Sequence, residues 1–435
     1  MVWAFKIIAY LIVAVLVVAV ALRHAYWWQV KEYRLDKMWS WVKYNLGWKE
    51  LLALDFRRPD FTQRGERLVG TGFLVGVGAM FLPGWWFVLA PAMAAVGVCL
   101  GVIWTRRIAM TTAKREAAHV KELLNKTKPK VVGISGSFDK SSSKEFLAQI
   151  LGQKFEVLKT KGSENTLLGV ARRIVADLEP TTEVLVIEMG AYKRGEISEI
   201  CEMIKPDVAW ITGIGNQHVD LFGGMENLKR AKFELIEALK PGGVAVFNSE
   251  DEGSRDLIAW AEKRGIKTDV YKAKVGRVEK DKFELGKMWV PLRGKHFAAN
   301  VSGAMTVAKV LGMKEKEVEK GLGKLVQPEK SLVIRQTPGG VTVIDDSYNA
   351  NEQGFVAAIE YLRLWGQRKY VVSPGIIELG KETLRVRERL NRESGGIDKV
   401  WIATYQGIGE TLKSGDVVLI EGRVPVGVKQ KILSL

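Results

Sequence analysis

Cysteine is almost missing from this chain. Two residues, Cys99 and Cys201, in 435 exclude a disulfide framework and a cysteine-based metal site; one falls in an apolar run and the other in a helical pattern, where buried reduced thiols are at home. No internal repeat and no low-complexity tract is present, which excludes a repeat architecture. Acidic residues are in deficit, 49 Asp and Glu against 65 Lys and Arg, for a net charge of +16. Such an excess fits nucleic acid, an anionic lipid surface or a phosphorylated substrate. Much of it flanks apolar segments, which favours the membrane and leaves nucleic acid out. What the chain does have is apolar sequence. A hydrophobic fraction of 47% gives a mean hydropathy near zero despite 26% charged residues. Those values fit a chain divided into an apolar part and a soluble part, and its length allows two or three domains.

Two stretches carry the apolar character. Ile7–Leu22 reads IIAYLIVAVLVVAVAL and, with Val2–Phe5 and a snorkelling Lys6, is just long enough to cross a bilayer core. A secretory signal is the rival reading. The run ends in Arg23, His24 and bulky aromatics rather than in a small-residue cleavage site, so an uncleaved span is expected. From Leu68 to Trp104 no residue is charged. Pro83-Gly84 followed by Trp85-Trp86 divides that run into a hairpin turning at the aromatic interface. Gly97 and Gly101 form a small-xxx-small pair that lets helices approach. The expectation is a three-span transmembrane helical module over residues 1–126, with spans at about 4–22, 68–82 and 86–104. Lys and Arg crowd the segment 23–67 and follow the hairpin at Arg106, Arg107, Lys114 and Arg115. Positive charge marks the cytoplasmic side. The N-terminus is therefore expected outside and everything after Arg106 inside, on a multi-pass protein of the inner (plasma) membrane. Segment 23–67 is also rich in Trp and Tyr, which suits an interfacial helix on anionic lipid; a small soluble helical bundle is the alternative.

From residue 127 strands and helices alternate, which argues for parallel sheets covered by helices. Strands are expected at 129–134, Glu183–Met189, Val208–Ile214 and Val244–Asn248. A second α/β unit begins near Gln327, with strands at Val341–Asp345, Tyr370–Ser373, Lys399–Ala403 and Val417–Glu421. The fold class is α/β: a parallel-sheet, P-loop-type central domain over 127–326 and a smaller Rossmann-like C-terminal domain over 327–435, preceded by the transmembrane module.

The string GISGSFDKSSSKE, beginning at Gly133, follows a strand and opens a helix. That is the context a phosphate loop needs: backbone N–H groups and a helix N-terminus cradle phosphate, a Lys reaches the terminal phosphates and a hydroxyl holds Mg2+. Gly136, Ser137, Lys140, Ser141 and Ser142 are the residues so placed. Asp139 stands where such a loop has Gly, and a Ser-rich helix cap is the plainer alternative. Glu188 ends the apolar strand VLVIE, and a carboxylate at the carboxyl end of a parallel strand sits where ligands bind in such sheets. His218 lies in a Gly-rich loop after another strand, open to a structural role or to metal or proton work. Lys232 lies on the following helix, where a solvated lysine is the plain reading. Asp345, Asp346, Asn349 and Asn351 cluster just past a strand, as a polar turn or as a site.

With these strings in view, residues from about 130 to 425 resemble the Mur ligase family, and within it the branch acting on muramoyl-tripeptides. The resemblance is carried by GISGSFDKSSSKE, VIEMGAYKRGEI, the stretch from Lys205 to Ile236, GKHFAANVSGA, VIDDSYNAN and SPGIIELG. It implies an ATP- and Mg2+-dependent ligase of peptidoglycan precursor synthesis. Such an enzyme joins D-alanyl-D-alanine, or a similar dipeptide, to a muramoyl-peptide through an acyl-phosphate. It implies that Lys140 contacts the terminal phosphates, Ser141 ligates Mg2+, and Glu188 and His218 hold metal. It implies that Lys232 is carbamylated and so becomes an anionic metal partner, that Asn300 faces the adenine, and that Asp346 and Asn349 meet ATP from the C-terminal domain. Four positions depart from the family pattern: Asp139 for Gly, Phe297 for Asn, Ser331 for Arg and Glu352 for Pro. The family's sugar-binding N-terminal domain has no counterpart, and the membrane module stands in its place. Membrane lipid and other cell-wall enzymes are the further expected partners. The departures at Asp139, Phe297 and Ser331 motivate an alternative, a degenerate ligase acting as a membrane scaffold for cell-wall enzymes.

Overall fold

The structure, a computed structural model, describes residues 2–31, 33–44, 49, 51, 58–60, 62–83, 85–162, 164–215, 219–329, 331–347, 352–375, 383–402 and 405–435. The chain divides into two compact units, Met1–Glu116 and Ala117–Leu435.

In the first unit, helices Val2–Val30, Leu35–Tyr44 and Gln63–Met80 precede a 3-10 turn at Trp86–Leu89 and the long helix Ala90–Thr127. The first helix continues to Val30 rather than ending near Leu22. Trp27 and Trp28, expected in the interfacial segment 23–67, instead continue the first helix and pack with Met38 and Trp41 in the core of the unit. Thr62 starts the third helix by accepting a hydrogen bond from the Gly65 N–H at 3.1 Å. Small residues let the helices close up: a Cβ on Gly97 would stand 2.7 Å from Thr71 O, and one on Gly72 would stand 2.6 Å from Val98. Two helices among the described residues are long and apolar enough to cross a membrane, Phe5–Val30 and Trp86–Thr127. The middle expected span falls on Gln63–Met80, which is 18 residues long and carries Arg64, Glu66 and Arg67 near its start. Its uncharged remainder is shorter than the roughly 20 residues a bilayer core asks of a helix. Ile8, Leu11, Ile12, Leu74 and Leu100 point outward, each more than half exposed.

The second unit is mixed α/β. Strands β1 (Lys130–Ser135), β2 (Val157–Lys159), β3 (Val184–Glu188), β4 (Val208–Ile211), β5 (Val244–Asn248) and β6 (Lys267–Tyr271) form a parallel sheet in the order β2-β3-β1-β4-β5-β6. β1, β3 and β4 are nearly continuous apolar runs because both faces are covered. Val131, Leu185, Ile187, Ala209 and Ile211 face one core, whose helices include Leu167–Asp177 and Met225–Glu237. Val132, Ile134, Val186 and Trp210 face the other, under helices Lys140–Leu151 and Phe297–Val310. Chain order reverses at β1, so a crevice opens at the carboxyl ends of β3, β1 and β4. The register sets Ile134 beside Glu188 and Ser135 beside Ile211.

A three-stranded antiparallel sheet follows: β7 (Val275–Val278), β8 (Phe283–Leu285) and β9 (Met288–Val290). Then come β10 (Val333–Gln336), β11 (Thr342–Asp346), β12 (Lys369–Ser373), β13 (Lys399–Ile402) and β14 (Val417–Glu421), in the order β10-β11-β14-β12-β13. Only the edge strand β10 runs antiparallel to its neighbour in this sheet.

Candidate active site

β1 ends in a fully buried Ser135, whose hydroxyl donates to Met189 O at 2.9 Å. Gly136 follows at φ +154°, and the Cβ position there is occupied by the Thr212 side chain and the Gly213 backbone, so only Gly fits the turn. Thr212 Oγ1 donates to Phe138 O at 2.6 Å, and Ser137 N–H donates to Gly213 O at 2.8 Å. These bonds tie the loop to the end of β4. Asp139, exposed at φ 62° and ψ 5°, turns the chain into the helix Lys140–Leu151. Asp tolerates this left-handed conformation better than most residues do.

One turn into the helix, the side chains converge on Glu188. Ser141 Oγ donates to Glu188 Oε2 at 2.8 Å and Asn165 Nδ2 donates to Oε1 at 3.1 Å. The Lys144 ammonium, fully buried, reaches Oε2 at 3.3 Å and Gly162 O at 2.7 Å. Lys140 turns back on its own loop and donates to Gly136 O at 2.9 Å. Desolvation holds its pKa below that of a free lysine, against the opposing charges of Glu188 and Asp139. Lys232, on helix Met225–Glu237, is 3% exposed. Burial, followed by repulsion from Lys140, pulls its pKa down to about 7, although Glu196, Glu234 and Glu188 oppose the shift. Gly136, Ser137, Lys140, Asn165, Tyr192 and Lys232 line one cavity of about 50 Å3. Two ammonium groups beside a loop of backbone N–H groups make an anion site, and the Ser141–Glu188 oxygen pair suits a hard divalent cation.

Residues 134–308 match the family described as the Mur ligase middle domain. The central part of this chain is a Mur ligase middle domain. Beyond it, the chain is similar to the UDP-N-acetylmuramoyl-tripeptide–D-alanyl-D-alanine ligases. It is 29% identical over 310 residues to that of Bacillus subtilis, covering 68% of this chain and 66% of the relative. It is 26% identical to that of Escherichia coli, covering 70% and 73%. The chain spans about two thirds of the length of these curated relatives. Among solved structures, one of MurF from Acinetobacter baumannii superposes with a TM-score of 0.60 at 26% identity, covering 72% of this chain and 71% of that one. The fold is also that of the MurF ligase of Thermotoga maritima in complex with ADP, with a TM-score of 0.63 at 24% identity over 74% and 83%.

Within the Mur ligase middle domain, Gly136, Ser137, Lys140, Ser141, Glu188 and Lys232 come together as one site, with Ser142 on the same first helical turn. Asn300 is buried and its amide donates to Asp139 O at 3.3 Å, so it braces the phosphate-type loop from helix Phe297–Val310. Phe297 is a core residue, packed edge-on against Phe146 at 5.3 Å. His218 and Asn349 lie outside the described residues. Asp346, at the end of β11, accepts from Ser331 Oγ at 3.0 Å and from Leu332 N at 3.2 Å, so the departure at Ser331 is bound to a proposed site residue. Burial lifts the Asp346 carboxyl to about 6. Glu352 pairs with Arg385 and Arg389.

Sequence reading passed over Lys144 and Asn165. The signal for Lys144 was its place one turn beyond Lys140, which puts both on one helical face. Asn165 lies in a loop far from the motif, and only the fold brings it to Glu188. Among the described residues no cluster of three or more His, Cys, Asp or Glu side chains gathers as a preformed metal cage.

Proposed function

We propose that this protein is an ATP-dependent amide-bond ligase of peptidoglycan precursor synthesis, joining D-alanyl-D-alanine or a similar dipeptide to a muramoyl-peptide. One juxtaposition supports the reading: Lys140, Lys232 and the Ser141–Glu188 pair meet at the carboxyl ends of β1 and β3, beneath a glycine-turned loop. The named relatives are ligases of this type. The substrate carboxylate takes the terminal phosphoryl group of ATP. The dipeptide amine then attacks the acyl carbon, and phosphate leaves. In this scheme the loop N–H groups and Lys140 hold the phosphates in line, which is most of what phosphoryl transfer asks of a protein. Mg2+, held by Ser141 and Glu188 with His218 and carbamylated Lys232 as further partners, would neutralise phosphate charge. Asn300 would face the adenine, with Asp346 and Asn349 approaching from the C-terminal domain.

The domain scheme in this proposal is a membrane module over 1–126, a central domain over 127–326 and a C-terminal domain over 327–435. Three spans with the N-terminus outside would put the ligase domains in the cytoplasm at the inner membrane. The outward apolar side chains of the first unit and its two membrane-length helices support a membrane location, and the Lys and Arg flanking the apolar runs are what argues for the orientation. The test of function is dipeptide-dependent phosphate release from Mg-ATP and UDP-muramoyl-tripeptide by the purified full chain. Absence of release, while a related ligase works in the same assay, sinks the proposal.

Asp139 bears on how tightly nucleotide is held. Its carboxylate lies within Coulomb reach of Lys140, which lines the anion site, and like charges at ~4 Å repel by on the order of 4 kcal/mol at an effective dielectric near 20, less when exposed as here. Gly adopts φ 62° without strain. Asp139→Gly is therefore expected to tighten Mg-ATP binding roughly ten-fold, equivalent to about 1.4 kcal/mol. Titration of both proteins with a non-hydrolysable ATP analogue checks it, and an unchanged or weakened affinity refutes it.

A further inference from the structure

A second cavity lies apart from the one around Lys140 and Lys232 and shares no lining residue with it. Its volume is about 460 Å3, and it sits between the end of β6, the hairpin β8–β9 and helices Phe297–Val310 and Glu315–Leu322. Local sequence builds it. Gly286 and Lys287 form the two-residue turn between β8 and β9, and Gly286 stands at φ +64°, a conformation such turns ask of glycine. The turn pairs Leu285 directly with Met288, so both side chains leave one face of the hairpin. Gly286 N–H donates to Lys274 O at 2.9 Å, which ties Lys287 to the segment that carries Lys272 and Lys274. Met305 and Lys309, one turn apart on their helix, close the opposite wall.

The floor is apolar, from Leu285, Met288 and Met305, and the rim is basic. Lys272, Lys274 and Lys287 stand on that rim, and among the described residues no hydrogen bond, ion pair or ring contact engages their ammonium groups. Lys309 is held by Glu315 at 3.1 Å, and Glu319 is the remaining acid. Four lysines against two glutamates leave the lining with a net charge of +2. Like charges around one hollow repel each other and draw in an anion. The volume is that of a small-molecule site, about 300–1,000 Å3. Lysines hold phosphate as point charges, and an apolar floor takes a ring or a sugar face. A small carboxylic acid fits the charge but leaves the floor uncovered. The surroundings speak against lipid. Exposed large apolar side chains of the second unit are Val270, Val275, Val326 and Val426, single valines without the Trp, Phe or Leu of a membrane-lying surface.

We propose that this cavity binds a soluble organic phosphate, its phosphate on Lys272, Lys274 and Lys287 and an apolar or planar body on Leu285, Met288 and Met305. The site is independent of the ligase reading. It stands at the edge strand β6, three strands along the sheet from β1, and gives the chain a second place for phosphate.

Reductive labelling of the full chain with pyridoxal phosphate tests this at single residues. The reagent's aldehyde condenses with a lysine amine to an imine and water, borohydride fixes the bond, and peptide mapping reports which lysine carried it. At limiting reagent Lys272, Lys274 or Lys287 is expected to be labelled at least about ten-fold faster than lysines outside the two cavities, and pyridoxal without its phosphate is expected to show no such preference. Uridine diphosphate should protect these lysines at a concentration roughly ten-fold below that of inorganic pyrophosphate, the gain from laying about 60 Å2 of ring on the floor. With Lys274→Gln and Lys287→Gln combined, protection of Lys272 should need at least about ten-fold more uridine diphosphate, while phosphate release in the turnover assay is unchanged. Met288→Trp fills the floor, keeps the charges and should remove the advantage of uridine diphosphate over pyrophosphate. Even labelling of the exposed lysines, equal labelling by pyridoxal, or protection by citrate as strong as that by uridine diphosphate overturns the proposal. Protection in nanodiscs of anionic lipid that is missing in neutral lipid overturns it in favour of a headgroup site. Absence of phosphate release by the wild type would sink the ligase reading and leave the labelling result standing.

Discussion

Lys140→Met is expected to cut ATP-dependent phosphate release by roughly a thousand-fold or more while the protein stays folded. Two features of Lys140 separate those outcomes. For folding, the ammonium contributes one hydrogen bond, to Gly136 O at 2.9 Å, within its own loop. Holding that charge in a half-buried place lowers its pKa, so the native state gains little from it. Met keeps most of the stem volume, and the loop retains its bonds from Ser137 and Thr212 to the end of β4. For function, the same ammonium lines the cavity with Lys232 and is the cation closest in sequence to the phosphate-type loop. In phosphoryl transfer, charge placed on the moving phosphoryl oxygens is most of the catalysis, so its removal acts on the rate. A melting curve within a few degrees of wild type, beside the loss of phosphate release, is the expected pair of measurements. Retained turnover in Lys140→Met would show that the loop is not the phosphate site.

Much of this arrangement was legible in the chain because its rules are local. A glycine-turned loop between an apolar strand and a helix announces an anion cradle, and an acid closing an apolar strand announces a residue at the ligand edge of a sheet. That second rule, applied to VLVIE, points to Glu188, which the register sets beside Ile134 at the carboxyl end of β1. The residues that were missed depend on topology. Asn165 reaches Glu188 only because β2 and β3 are neighbours, and no spacing in the sequence encodes that pairing. Phe297 departs from the family's Asn, yet its environment is the core under Phe146, a fact of packing rather than of motif. In the first unit the apolar count predicted helices well but not their ends. Trp27 and Trp28 look interfacial by composition, and only the fold turns them inward against Trp41.

Lys232→Met should make the protein more stable and less active, and the two changes have one cause. Lys232 is almost fully buried, and its pKa falls from 10.5 to about 7 because its charge is desolvated and faces Lys140. The unfolded chain holds this proton up to about pH 10.5, whereas the folded chain releases it near 7. Between those limits the unfolded state binds more protons, so stability from this group rises with pH, and it is fully lost only below about pH 7. In CO2-depleted buffer, where the amine is uncarbamylated, replacing the ammonium with an apolar side chain removes that loss, for a gain on the order of 3 kcal/mol at pH 7 that shrinks toward pH 10. Denaturant melts at pH 7 and pH 10 check the sign: a gain that grows with pH contradicts it. The same lowered pKa leaves about half of the amine neutral at pH 7, and a neutral amine is what adds to CO2 to give a carbamate and a proton. Met forms no carbamate, so the variant is expected to lose roughly a hundred-fold or more in turnover, the scale on which an electrostatic partner at a phosphoryl site acts. Wild-type turnover should fall in CO2-depleted buffer and return with bicarbonate, while Lys232→Met responds to neither. A wild type indifferent to CO2, with an active Lys232→Met, would mean that the buried lysine serves only to hold the helix Met225–Glu237 against the loop.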